Sequence, residues 1–309
     1  MDKVSACKAL ADTGLQQPGS VVLVSGMEAL EQCEALLPAY VKTPIGTAST
    51  GVRRAGTPSE LASIVADYVA QGYFENGGKL LVQKEIQGSL IMVCGVFDYG
   101  RLKAWHACVR VREGIAGGAS KKVSLPLPIL GEDLQALGDL LNWHGALSLE
   151  ALLEDGRPLY VDVNPRIVEP TNGLLAGVDL VEELLDVSLG KEVESRPPKH
   201  GIEGVETHQL ILAMMKATEE GRVMLLVEVF KALMGLDQYR GSVEELTPLE
   251  GDVVRSLLLL VCLFLGLIVG GPWTVRKVNG DTIANYALGR NGWEEILKRV
   301  DKREETGGS

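Results

Sequence analysis

The stretch GALSLEALLEDGRPLYVDVNPRIVEP, Gly145 to Pro170, decides the fold. Two runs with strand character, GALSLEALL and LYVDVN, flank EDGRP, whose Asp-Gly pair is a hairpin signal. Glu150 lies on the first run; Asp162 and Asn164 lie on the second. Side chains two apart along a strand face the same side. Asp162, Asn164 and Arg166 therefore share a face wherever the strand stays regular, and Glu150 joins them by pairing across the hairpin. Two carboxylates and an amide oxygen make a hard all-oxygen set of the kind magnesium takes, its other ligands coming from phosphate and water. Arg166 suits a phosphoryl oxygen. Spacing alone leaves a second reading open, an exposed hairpin carrying ordinary polar residues.

Upstream, AYVKTPIGTASTGVRRAG delivers Lys42 at a strand end and follows it with a Gly/Ser/Thr-rich turn containing Gly46, Ser49 and Gly51. Glycines let backbone approach a phosphate, and N–H groups and hydroxyls can cradle it. The pattern is not the GxxxxGK[ST] loop, and a surface hairpin would look much the same. A helix is expected from Ser59, as N-cap, to Ala70. LVQKEIQG then reads as a strand bearing Gln83, Lys84, Glu85 and Ile86. Further on, Arg110 and Arg112 are two apart and are expected on one strand face. That is costly unless they are solvated or face an anion. The Gly-rich EGIAGGASKK reads as a covering loop, with Lys121 and Lys122 a solvated pair. His106 and His144, each beside a tryptophan, read as packed or surface residues.

The hairpin resembles the magnesium hairpin of the ATP-grasp superfamily, in which an acid on one strand precedes acid-x-Asn-x-Arg on the next. Here Glu150 precedes Asp162-Val163-Asn164-Pro165-Arg166. The family often has Glu where Asp162 stands. The resemblance covers about residues 1–190 and implies an α+β fold of two lobes, about 1–85 and 86–190, with ATP between them. It implies that Glu150, Asp162 and Asn164 hold Mg2+ (with Mn2+ as a substitute) on the ATP phosphates. It assigns Lys42 and the segment Gly46–Gly51 to the phosphates. Gln83, Lys84, Glu85 and Ile86 fall in the segment that holds adenine, with Lys84 aimed at adenine N7 or a phosphate. Arg110 and Arg166 are expected at the γ-phosphate or an acyl phosphate. The activity implied is ligation of a small carboxylate to an amine or related nucleophile through an acyl phosphate; the alternative is a nucleotide-binding module without ligase activity. Such enzymes carry an α/β domain ahead of the first lobe. Here the resemblance begins almost at Met1, so the expectation is magnesium–ATP binding poorly coupled to ligation.

Composition agrees with a globular protein of this size. Asp and Glu total 41 against 30 Lys and Arg, and the net charge of −11 argues against a nucleic-acid partner. Five scattered cysteines without a CxxC pair indicate neither a disulfide framework nor a zinc site, and fit reduced thiols in a cytoplasmic protein. From about Lys191, after SRPPKHG, the pattern turns to apolar helices, so a mainly helical C-terminal region, 191–309, is expected, with a polar tail. The run Leu257 to Val269 is shorter than the roughly 20 residues of a spanning helix. It reads as a buried helix, and any membrane contact would be confined to 257–269.

Overall fold

The computed structural model describes residues 2–46, 51–75, 77–191 and 197–246, together with Val261, Leu267 and Ile268. Two compact units emerge among them. One holds residues 2–4 and 18–85, and the other holds 5–17 and the chain from Ile86 onward.

The first unit is a four-stranded antiparallel sheet in the order β1-β4-β2-β3, from Ser20–Leu23 (β1), Ala39–Lys42 (β2), Val52–Ala55 (β3) and Leu80–Lys84 (β4). Its apolar face, with Ala39, Val41, Ala55 and Val82, packs on Leu61, Ile64 and Val65 of the helix Pro58–Ala70 (α3) and on Cys33 of the short helix Leu30–Glu34 (α2). The start of α3 corrects the expected N-cap. Thr57 takes that place, its Oγ1 accepting the Glu60 N–H at 3.3 Å, and Glu60 Oε2 accepts the Gly56 N–H in return. Pro58 sits at the first helical position, where its missing N–H costs nothing.

The second unit is built on an eight-stranded sheet. Its strands are Ser89–Asp98 (β5), Arg101–Glu113 (β6), Ala119–Ser124 (β7), Gly145–Glu154 (β8), Arg157–Asn164 (β9), Lys199–His200 (β10), Glu206–His208 (β11) and Val243–Glu244 (β12). The order is β12-β11-β7-β6-β5-β8-β9, with β10 pairing parallel to β6. One face carries Ile91, Val93, Ala107, Leu147, Leu149 and Val163 and packs on Leu130, Leu134 and Leu137 of Pro128–Leu141 (α4). Gly138 allows α4 to lie this close, because a Cβ there would strike the Phe97 ring. The first helix, Lys3–Asp12 (α1), contributes Ala6 and Leu10 to the same core. On the opposite face, after the short helix Thr171–Leu175 (α5), Leu180 and Val187 of Leu180–Ser188 (α6) pack on Cys94, Val96 and Ala104.

Two expectations change here. EGIAGGASKK is not all loop: after a 3-10 turn at Ile115–Gly117 the chain forms β7, because residues 119–124 are held between β6 and β11. The region after Gly190 is not wholly helical either. It adds β10 and β11 to the sheet before the helices Leu210–Glu220 (α7) and Arg222–Leu233 (α8), and β12 after them. The apolar run 257–269 lies outside the described residues apart from Val261, Leu267 and Ile268. Among the described residues no helix is long and apolar enough to cross a membrane.

Candidate functional site

The hairpin folds as its sequence directs. Asp155 and Gly156 both have positive φ, 49° and 80°, the requirement of a tight two-residue turn. Across β8 and β9, Glu150 pairs with Asp162, and Ser148 with Asn164. A bulge leaves Val161 unpaired just before this point, so Asp162 and Asn164 keep Glu150's face. Asn164 Nδ2 lies 3.4 Å from Asp162 Oδ2, and Asp162 Oδ1 accepts the Val163 N–H at 3.1 Å. All three are half-buried. Arg166 departs from the expected shared face. The strand ends at Asn164, before Pro165, and the exposed Arg166 side chain lies 3.4 Å from the Ile167 carbonyl.

Residues paired across antiparallel strands share a face, so the register extends this surface through the sheet. Glu150 pairs with Met92, Met92 with Cys108, and Cys108 with Ser124. One step along, Ser148 pairs with Cys94 and Cys94 with His106; on the far side Arg110 pairs with Lys122, and Lys122 with Thr207. One face of this sheet is therefore a polar band holding Glu150, Asp162, Asn164, His106, Arg110 and Lys122, while the reverse is the hydrophobic core.

The band corrects several readings. Arg110 and Arg112 do not repeat on one face: a bulge at Val111 opposes Arg110 to Lys122 and Arg112 to Lys121, which are consecutive. Arg110 Nη1 donates to the Gly117 carbonyl at 2.6 Å, whereas Arg112 reaches Glu228 at 3.4 Å. Lys122 is no solvated lysine. It is fully buried, with Nζ 2.5 Å from Glu169 and 2.6 Å from Glu245. Burial pulls its pKa down, but the two carboxylates outweigh that and raise it overall. His106 is buried, as expected of a packed histidine. Its Nε2 lies 2.7 Å from Asn172 Oδ1, and burial lowers its pKa. His144 stands apart from the band, beside Asp98 and stacked on Tyr99. Cys94 and Cys108 are buried free thiols, and burial pushes the Cys94 pKa up to about 11.

In the first unit, Lys42 Nζ donates to Gln83 Oε1 at 2.7 Å. Gln83 is 2% exposed, and its Nε2 has no partner among the described residues. A buried amide nitrogen left without an acceptor is costly. Gly51 closes the turn with φ 76°, where a Cβ would strike the Thr43 side chain, and its carbonyl accepts the Thr43 N–H at 2.9 Å. The Gly46 carbonyl accepts from Lys3 Nζ at 3.3 Å, and Ser49 lies outside the described residues. Glu85 shares Gln83's face but is held by Arg54 through a bidentate pair at 2.7 to 3.0 Å and by Tyr40 at 3.1 Å. The Arg54 hydrogen bonds, with help from Tyr40, keep the Glu85 carboxyl below its ordinary pKa against the opposing effect of burial. Lys84, one position on, points to the other face and is exposed, so the strand does not bring it to Lys42 and Gln83. Ile86 is half-buried and opens the second unit.

The chain has the ATP-grasp fold. It superimposes with a TM-score of 0.55 on the biotin carboxylase domain of the Hydrogenobacter thermophilus 2-oxoglutarate carboxylase, solved with MgADP, ADP and bicarbonate; identity is 16%, over 67% of this chain and 49% of that one. An L-amino acid ligase from Bacillus licheniformis gives 0.52, at 18% identity over 67% of this chain and 55% of that one. The uncharacterized protein y4rH of Sinorhizobium fredii is 27% identical over 209 residues, 62% of this chain and 42% of that protein. The chain thus matches less than half the length of this curated relative. No protein-family model matches it.

Fit to a metal can be judged from the donors. Glu150, Asp162 and Asn164 offer oxygen ligands on one strand face, set there by the register, and Asn164 touches Asp162. Among the described residues no group of three or more His, Cys, Asp or Glu side chains could hold a metal. Two carboxylates and an amide suit an ion that completes its shell with phosphate oxygens and water, as Mg2+ does.

Proposed function

We propose that this chain is an ATP- and magnesium-dependent ligase that activates a small carboxylate as an acyl phosphate and joins it to an amine or similar nucleophile. The observation that carries the reading is the convergence of Glu150, Asp162 and Asn164 on one polar face of an ATP-grasp sheet. In this reading those three hold Mg2+, or Mn2+ in its place, which when bound neutralises phosphate charge as the terminal phosphoryl group moves. Lys42 and the Gln83 amide contact phosphate or purine acceptors, and the Gly46–Gly51 segment, Ser49 included, cradles the phosphates. Backbone groups near Glu85 and Ile86 hold the adenine edge, while Arg54 and Tyr40 fix the Glu85 side chain. Arg110, on the metal-side face, meets the developing charge of the transferred group, and Arg166, free of the strand pleat, reaches for a phosphoryl oxygen. These residues act by positioning and charge neutralisation, so the first step needs no general base.

The test is ADP release across a panel of carboxylates and amines, with product followed by mass spectrometry. The parent chain should release ADP only with a metal and a matched pair of substrates. Glu150→Gln and Asp162→Asn should each lower turnover at least a hundredfold while leaving the circular dichroism spectrum unchanged. Parent rates in both variants would remove the metal site, and metal-free turnover would remove the reading.

A further inference from the structure

The buried lysine of the polar band has surroundings that nucleotide binding does not explain. Lys122 sits between Glu169 and Glu245, and Gln209 Nε2 donates to the same Glu245 oxygen at 2.7 Å. Two carboxylates face one ammonium, which leaves excess negative charge in a site buried on all sides but the Glu169 one. Glu245 Oε1 is buried and has no hydrogen-bond partner among the described residues, although its side chain is only 1% exposed. A carboxylate oxygen in such a place normally has a donor. Glu169 is the half-exposed member of the set, 29% accessible, and therefore its opening to solvent. Its φ of 47° is one that a non-glycine residue adopts at a cost. Lys122 lies on the face that carries Glu150, through its pairing with Arg110.

We propose that Glu169 and Glu245 form a binding site for a primary ammonium group, the protonated form in which the amine substrate docks before it loses a proton and becomes the nucleophile of the ligation; this rests on the ligase reading given above. An ammonium brings three N–H donors and one positive charge, which supply the missing partner of Glu245 Oε1 and cancel the excess negative charge. Lys122 is the fixed counter-charge that holds both carboxylates in place. Its own ammonium repels a bare metal cation, which has no N–H donor to offset that repulsion, so the site favours an organic amine over potassium or sodium.

The experiment uses the full chain and methylammonium chloride as probe. Thermal shift and calorimetry are run beside tetramethylammonium chloride, which has no N–H donor, and potassium chloride at equal ionic strength. Magnesium–ATP is titrated separately. Saturable binding is expected for methylammonium alone. Glu245→Gln and Glu169→Gln should each weaken it at least tenfold while magnesium–ATP affinity stays within twofold. Should Glu245→Gln fail to fold, Glu169→Gln at the half-exposed position carries the test. An equal response to potassium would overturn the proposal in favour of an inorganic cation, and no saturable response, or unchanged affinity in the variants, would make the cluster purely structural. A chain that binds methylammonium but not magnesium–ATP would sink the ligase reading and leave the ammonium site in place.

Discussion

Lys42 carries two burdens that a single substitution removes together. As a strand-end lysine beside a glycine turn it looks dispensable for packing, but its Nζ satisfies the carbonyl of a buried glutamine. Lys42→Ala is therefore expected to weaken magnesium–ATP binding at least tenfold and also to cost about 1 to 2 kcal/mol of stability, because the Gln83 carbonyl loses the ammonium that donates to it. Calorimetric titration and urea unfolding on the same sample check both; unchanged ATP affinity would remove Lys42 from the site. His106 gives a pH prediction. Its pKa is lowered in the folded chain, so between that value and the unfolded value near 6.5 the unfolded state binds more protons. Stability from keeping it neutral is full above about pH 6.5 and declines as the pH falls through the window below. His208, also lowered by burial, acts in the same direction. Unfolding midpoints at pH 7.5 and 5.5 should differ in that sense, and the difference should shrink in His106→Gln. At this scale the legible residues were those whose chemistry rests on local spacing. Glu150, Asp162 and Asn164 could be read because one turn and a two-residue period relate them. Lys122, Glu169 and Glu245 could not, because 47 and 123 residues separate the lysine from its carboxylates and only the sheet brings them together.

The elements show where that legibility stops. The β8–β9 hairpin was readable because Asp-Gly tells the chain where to reverse. Gly156→Ala, at φ 80°, should cost about 1 kcal/mol. It should also lower magnesium-dependent turnover, since Glu150 and Asp162 meet only in the present register. A Gly156→Ala chain with parent stability in urea would show that the turn does not set the pairing. The start of α3 differs by two residues from the sequence expectation because Thr57 and Ser59 are both good caps. What decides between them is Pro58, which must sit inside the first turn. Thr57→Ala should then destabilise the first unit by about 1 kcal/mol, and Ser59→Ala by much less. ASKKVS reads as loop in the sequence because it lacks a hydrophobic alternation. It is a strand through its neighbours: β6 and β11 take its backbone hydrogen bonds on both sides, and the carboxylates of Glu206, Glu169 and Glu245 take its two lysines. Tertiary context overrides propensity most readily in a short central strand of this kind.

At the scale of the whole molecule, chain order and structural membership part company. The sequence places the first helix in the smaller lobe, since it precedes that lobe's strands. The structure gives Ser5–Gln17 to the larger unit. The reason is apolar burial: Ala6, Leu10 and Leu15 are 2%, 1% and 8% exposed, in one cluster with Trp105, Leu134 and Tyr160. Backbone bonding agrees, since the Tyr160 N–H donates to the Gln16 carbonyl at 2.9 Å and so ties the segment to β9, the strand of Asp162 and Asn164. Removing a leucine from such a core costs the transfer of its side chain plus the cavity left behind, about 2 to 5 kcal/mol. Leu10→Ala should therefore destabilise the larger unit by that amount, although every catalytic candidate in it lies more than 90 residues away in sequence. Urea unfolding followed by tryptophan fluorescence reads this, because Trp105 and Trp143 both belong to that core. Deleting residues 2–17 should go further and abolish cooperative unfolding of the larger unit, since it strips the same face of Trp105 and Tyr160 and unpairs the β9 backbone. A shortened chain that unfolded with the parent midpoint would mean that the first helix is an accessory to this core rather than part of it.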